Sequence, residues 1–266
     1  MDALSKLPDA MDELLNSFLS HAIVGDTNVG LTQYIFWMLV AIALLLIVMF
    51  VFKKKQSESL VPKGFFVNGV ESLVEFARDD MCKSILGDTW KKHFPFIATL
   101  FFFILFNNIV GIIPGCHPGT GTIGVTAALA LCSFVYFIAV GIKRKGLGGY
   151  LASLAPAGLA MPMRVMVWII ELFSTFLRLI TLAVRLFCNM FAGHVVMGTF
   201  AILASLFFEP LLQGFSAAAL GSAAGSIFWV LILIVIYLVE ILVAVIQAYV
   251  FTLLSAVYIQ LVEQDE

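Results

Sequence analysis

Apolar residues run along this chain in blocks longer than a soluble helix needs. Tyr34 to Phe52 is the first, about the length that crosses a hydrocarbon core of about 30 Å, and Lys53, Lys54 and Lys55 close it. Phe94 to Ile113 and Thr120 to Ile142 are the next two, joined through Pro114–Gly115, so 94–142 predicts a transmembrane hairpin. Between the first block and this hairpin the period changes. Phe66, Val70, Leu73, Val74, Ala77 and Met81 recur at helical spacing, with Glu71, Glu75, Arg78, Asp79 and Lys83 between them. Residues 64–92 therefore predict an amphipathic helix on the membrane surface or against a partner.

The last apolar region, 163–262, holds two segments, Met163 to Phe208 and Ser226 to Val262. As one helix the first rises about 65 Å, at 1.5 Å per residue, against a core of about 30 Å. Neither stands upright in a bilayer. They predict an antiparallel pair of long, steeply tilted helices, with a turn spanning Glu209–Pro210 and the small residues from Gly214 to Gly225. Gly146 to Gly149, Pro156, Gly158 and Pro162 predict a flexible connection before the pair. The fold class expected is an all-α polytopic membrane protein of about five membrane helices plus the amphipathic surface helix.

Composition agrees: 62% of residues are hydrophobic, 12% are charged, and the mean hydropathy is +1.06. A β-barrel would show short alternating segments instead. A net charge of −2 with no large basic cluster gives nucleic acid no footprint. Cys82, Cys116, Cys132 and Cys188 are scattered, so neither a disulfide framework nor a metal site is expected, and no nucleotide-binding or hydrolase motif is present. No cofactor is expected. Lys53–Lys55, Lys91–Lys92 and Lys143–Arg144–Lys145 alternate with the spans as cytoplasmic charges do. That places the N-terminus outside and the C-terminus in the cytoplasm. Residues 1–33, acidic and polar, read as an external segment and not as a cleavable signal.

Charges inside the long pair carry the chemistry. A charge at mid-bilayer costs about 3 kcal/mol even on lenient scales, so each must pair, face water or do work. Arg164, Glu171, Arg178 and Arg185 recur every seven residues and form one slowly drifting stripe, which Asn189 extends. His194 lies about half a turn away from Arg185. Glu240 and Gln247, seven apart, share a face of the last helix. A guanidinium does not release its proton, so Arg185 cannot relay one, but it can attract a carboxylate and block a leak past it. His194 and Glu240 can carry protons. Glu171 and Arg178 read equally as polar glue between helices, and His194 also as a satisfied core histidine.

Arg185–Leu186–Phe187–Cys188–Asn189–Met190–Phe191–Ala192–Gly193–His194 resembles the signature of subunit a of the F-type rotary ATP synthase, which reads R-L-F-(G/A)-N-M-x-A-G. Pro95 through Asn108–Ile109–Val110–Gly111–Ile112–Ile113–Pro114 resembles a second family span, and Glu240 with Gln247–Ala248 resembles the last helix. The resemblance implies a stator membrane subunit with two proton half-channels. In it Arg185 would face the carboxylates of the c-ring, Gln247 would be its neighbour, Asn189 would line the path, and His194 and Glu240 would serve one half-channel. Glu171 and Arg178 would support the other. It also implies b-type peripheral stalk subunits, the lipid bilayer and, indirectly, the catalytic head as partners, no catalytic site in this chain, and a multi-pass place in the cell inner (plasma) membrane. Two departures stand out: Cys188 replaces the commoner Gly or Ala, and His194 and Glu240 exchange the residue types that many members carry. The competing reading is an ion-coupled secondary transporter, and a structural scaffold is a third.

Overall fold

The computed structural model describes residues 7–18, 22–24, 31–57, 64–154, 161–213 and 217–263. A short helix, α1 (Leu7–Ser17), precedes a two-stranded antiparallel ribbon, β1 (Ala22–Val24) and β2 (Leu31–Thr32). Helix α2 (Gln33–Ser57) is the first block of the sequence, apolar on all sides, with its lysines at the end. It lays Ala41 and Trp37 on Val110 and Cys116. Five helices of the described chain are long and apolar enough to cross a membrane, so the all-α polytopic fold stands.

The amphipathic stretch becomes α3 (Phe65–Glu75), a π-helical run Phe76–Lys83 and short turns to Thr89, leading directly into α4 (Trp90–Ile112). The expected apolar face holds at Val70, Ala77 and Met81, departs from the count at Phe66 and Leu73 ahead of the π-helical run, and gains Cys82 within it. Val67, Val70, Ala77, Met81 and Cys82 are buried, whereas Phe66 and Leu73 are exposed. A π turn adds a residue to the helical repeat and rotates the residues after it. It brings Met81 and Cys82 together onto the interior, so residues 64–92 pack on the spans along much of their length.

Helix α4 is the hub. Leu100, Phe101, Phe102, Ile104 and Leu105 meet Ala77 and Met81 on one side and Leu182, Ala183, Leu186, Ala248 and Phe251 of the last two helices on another. Asn108 works as glue: its Nδ2 donates to Ala244 O at 3.3 Å, and its Oδ1 accepts from Thr120 Oγ1 at 2.8 Å. Helix α5 (Ile123–Ser153) returns alongside and meets the last helix through Ser133 Oγ and Ser255 Oγ at 2.8 Å. It outlasts the expected end at Ile142. The chain breaks at Gly146, where φ is +70°, then turns helical again to Ser153. Trp168 Nε1 donates to Leu151 O at 2.7 Å and holds that extension to the next helix. The rest of the expected flexible connection, 155–160, lies outside the described residues.

Helices α6 (Met161–Gln213) and α7 (Ala217–Glu263) have 53 and 47 residues. At 1.5 Å per residue they run about 80 and 70 Å, so both must lean far over to stay within a bilayer. Contacts at both ends show them antiparallel: the Phe200 and Phe207 rings pack on Trp229, and Arg178 stacks on Tyr258. Most of the stretch from Glu209 to Gly225, expected as a turn, is helical. Helix continues through Pro210 and resumes at Ala217, leaving 214–216, outside the described residues, between the helices. Half of the small residues from Gly214 to Gly225 are alanine, the strongest helix former.

Candidate functional site

The site is built where α6 crosses α7. Gly193 lies against Glu240: a Cβ placed on Gly193 would collide with the carboxyl, 2.6 Å from Glu240 Oε2 and closer still to Oε1. Glycine there lets a buried carboxyl rest on the neighbouring backbone. Gly193→Ala forces that carboxyl aside, and it is expected to cost about 1–3 kcal/mol in helix packing, read as a lowered melting temperature of the detergent-purified protein.

From this crossing the two helices can be levelled. Eight residues back along α6, about 12 Å, stands Arg185; seven residues on along α7, about 10.5 Å, stands Gln247. Because the helices are antiparallel, these two share a level. Seven residues further back, Arg178 donates to Glu171 Oε1 at 2.8 Å, and its guanidinium lies 5.4 Å from the centre of the Tyr258 ring. The sequence-predicted residues thus fall in three tiers: His194 with Glu240, then Arg185 with Asn189 and Gln247, then Arg178 with Glu171. Arg164 is exposed near the start of α6.

Arg185 is exposed and makes no ion pair or side-chain hydrogen bond with any described residue. Leu177, Thr181, Val184, Cys188 and Ala192 surround it on the same face of α6, all exposed, and all but Thr181 apolar. The inner side of the crossing is the reverse. Asn189 Nδ2, Gln247 Nε2 and Glu240 Oε1 are buried without a hydrogen-bond partner among the described residues. Each such atom costs about 1–3 kcal/mol when left unmatched.

His194 reaches the opposite way. Its Nδ1 lies 2.7 Å from Met190 O, one turn back on α6, and its Nε2 lies 2.8 Å from Gly111 O at the end of α4. Both partners are acceptors. A neutral ring, with one N–H, donates to only one of them; a protonated ring donates to both. A cavity of about 270 Å³ opens beside it, lined in part by Gly111, His117, His194, Met197 and Tyr237. Helix α1 and Phe18 cover its flank. Leu14 packs on Gly198, Phe18 meets His194 edge-on at 6.4 Å, and Tyr34 O–H donates to Phe18 O at 2.8 Å. The described part of the N-terminal segment, read from the sequence as external, thus contributes Leu14, Ser17 and Phe18 to the wall of this vestibule.

A second polar cluster escaped the sequence reading. His93 Nε2 meets Glu263 Oε1 at 3.1 Å, His93 Nδ1 meets Tyr136 Oη at 3.0 Å, and Thr89 Oγ1 donates to Glu263 Oε2 at 2.6 Å. A neutral ring satisfies all of this: Nε2–H donates to the carboxylate and Tyr136 O–H donates to Nδ1. The available signal was position, a histidine opening one span and a glutamate closing another. Among the described residues no group of three or more His, Cys, Asp or Glu could hold a metal ion.

Residues 35–260 match the ATP synthase A chain family. The chain is 37% identical over 251 residues to ATP synthase subunit a of Chlorobium phaeobacteroides (strain DSM 266 / SMG 266 / 2430), covering 93% of this chain and 69% of that protein. It is 38% identical over 239 residues to ATP synthase subunit a of Chloroherpeton thalassium, covering 89% and 67%. With ATP synthase subunit a of Myxococcus xanthus the identity is 37% over 236 residues, covering 88% and 73%.

Proposed function

This chain belongs to the ATP synthase A chain family, and on that premise we propose that it is the stator of proton flow, with Arg185 facing the carboxylates of a rotating c-ring. It is a non-catalytic membrane subunit, and the chemistry of ATP belongs to other chains of the complex. The observation that carries the proposal is the guanidinium of Arg185, without an ion-pair partner among the described residues, amid an exposed apolar face. Left against lipid it is costly; opposite a succession of carboxylates it is not. The small side chains Cys188 and Ala192 beside it let a partner helix come close.

The three tiers then divide the work. A proton enters by the vestibule beside His194, passes to Glu240, and neutralises a ring carboxylate near Gln247 and Asn189. The neutral carboxyl travels round through lipid. On its return it loses the proton to the path on the Arg178–Glu171 side, and as a carboxylate it meets Arg185. One charge falling through 100 mV supplies about 2.3 kcal/mol, and the fixed positive charge keeps that flow from short-circuiting. The N-terminus lies outside and the C-terminus in the cytoplasm of the cell inner membrane, so His194 and Glu240 serve the outer half-channel. Stalk subunits of the b type hold the chain still. A secondary transporter would use similar charges without a ring.

Native cysteines test the facing surface. Cys188, one turn from Arg185, and Cys132 on α5 are both free and exposed. Oxidation of the assembled complex, with a cysteine placed beside the ring carboxylate, is expected to link this chain to a ring subunit. Cys188→Ser should abolish the product on a denaturing gel, and Cys132→Ser should leave it. Linking through Cys132 instead would turn the chain's other side to the ring and overturn the reading.

A further inference from the structure

The cluster around His93 belongs to a cavity that proton transfer at Arg185 does not use. It measures about 780 Å³ and lies where three spans end together: the start of α4, α5 just before its break, and the last residue of α7. Lys92, Lys143 and Arg144 stand at its mouth, all exposed. Its floor is His93, 4% exposed, with Thr89 and Tyr136. Glu263 also lines it, but both carboxylate oxygens are already engaged, by His93 and by Thr89. With His93 neutral, the lining carries a surplus of two positive charges.

One wall is apolar and runs away from the charges. Ala139 and Val140 lie one turn from Tyr136 on α5, and Tyr136 stacks on Phe96 at 3.8 Å. The wall therefore leads from the basic mouth toward the membrane interior. Trp90, at the start of α4, carries Lys91 Nζ 5.9 Å from its ring centre, the pairing of aromatic and cation common at a headgroup layer.

We propose that this cavity binds the phosphate group of an anionic phospholipid, with Lys92, Lys143 and Arg144 on the headgroup and the first carbons of a chain along Tyr136 and Val140. Inorganic phosphate would satisfy the same cations but leave the apolar wall empty. Bound there, the lipid bridges α4, α5 and α7 on one membrane face, and it ties the end of the last helix to the hairpin that supports it.

The test uses the complete ATP synthase complex in nanodiscs containing a small fraction of phosphatidylglycerol with a photoreactive group near the top of its chain. After irradiation and digestion, the label is expected on the peptide spanning 134–144. A phosphatidylcholine probe of the same build should label it severalfold less. Each basic residue at a membrane surface changes binding of an anion about fivefold, so Lys92→Gln and Arg144→Gln should each lower labelling by that factor. Lys145→Gln removes the same charge from the same helix end but lies outside the cavity, and it should leave labelling intact. All three positions are exposed or at a helix end, and subunit content of the complex checks assembly of each variant. Equal labelling by the choline probe, equal loss in Lys145→Gln, or displacement by millimolar inorganic phosphate would each overturn the assignment.

Discussion

Arg185→Ala is expected to abolish ATP-driven proton pumping while the complex assembles with its full set of subunits. An Arg–carboxylate pair at 4 Å, with an effective dielectric near 20, is worth about 4 kcal/mol. That corresponds to about a thousandfold preference for the ionised carboxylate at this point of the cycle. Without it the carboxyl can pass still protonated, and the two half-channels exchange protons without turning the ring. Arg185 has no ion-pair partner among the described residues, so its removal breaks no internal pair and leaves Leu182, Leu186 and Met190 in the core. Pumping is read by quenching of a pH-sensitive dye in inverted vesicles, and passive leak by the same dye under an imposed gradient. Normal pumping in the variant would exclude the stator role. Arg185→Lys keeps the charge as a compact ammonium and loses the planar fork, so it should fall well short of the parent.

The second large effect is expected at Glu240. Glu240→Gln keeps the shape of the side chain against Gly193 and loses the ability to carry a proton. Positioned acid–base groups contribute about 10²–10⁴ in rate, so passive proton conduction through the membrane sector should drop by at least the lower factor. His194→Gln tests the same tier. The exchange variant, His194→Glu with Glu240→His, places each residue type where the other stood. If the two act as one relay across the Gly193 contact, it should conduct better than either single replacement. Conduction no better than the singles would assign them to separate steps. Stability of each variant, followed by melting temperature, separates a lost proton carrier from a misfolded crossing.

Much of this arrangement was legible because its signals are local. The heptad from Arg164 to Arg185 needs only helical geometry, and the pair Glu171–Arg178 comes from it directly. Glu240 and Gln247 stand on one helix, so their common face could be counted. What could not be read depended on distant partners. Glu263 and His93 are 170 positions apart in sequence, and Gly111, which receives His194, is 83 from it. Their meeting is decided by how α4 docks on the long pair. The π run at Phe76–Lys83 leaves no simple mark in the apolar spacing, so a regular helical count finds Ala77 and Met81 in the core but not Cys82 beside them. Pro210 suggested a boundary through its own chemistry, yet the alanines after Gln213 favour helix strongly enough to shrink the gap to a few positions.

The level shared by Arg185 and Gln247 makes the crossing sensitive to phase as well as to identity. One residue inserted between Arg185 and Gly193 would conserve every functional side chain. It would still swing Arg185 about 100° round α6 and displace it about 1.5 Å along the axis, relative to the Glu240 contact. The guanidinium would then leave the outward face. Natural variation in length along this stretch should accordingly be confined to the helix ends, with the eight-residue interval held fixed however freely its apolar members drift.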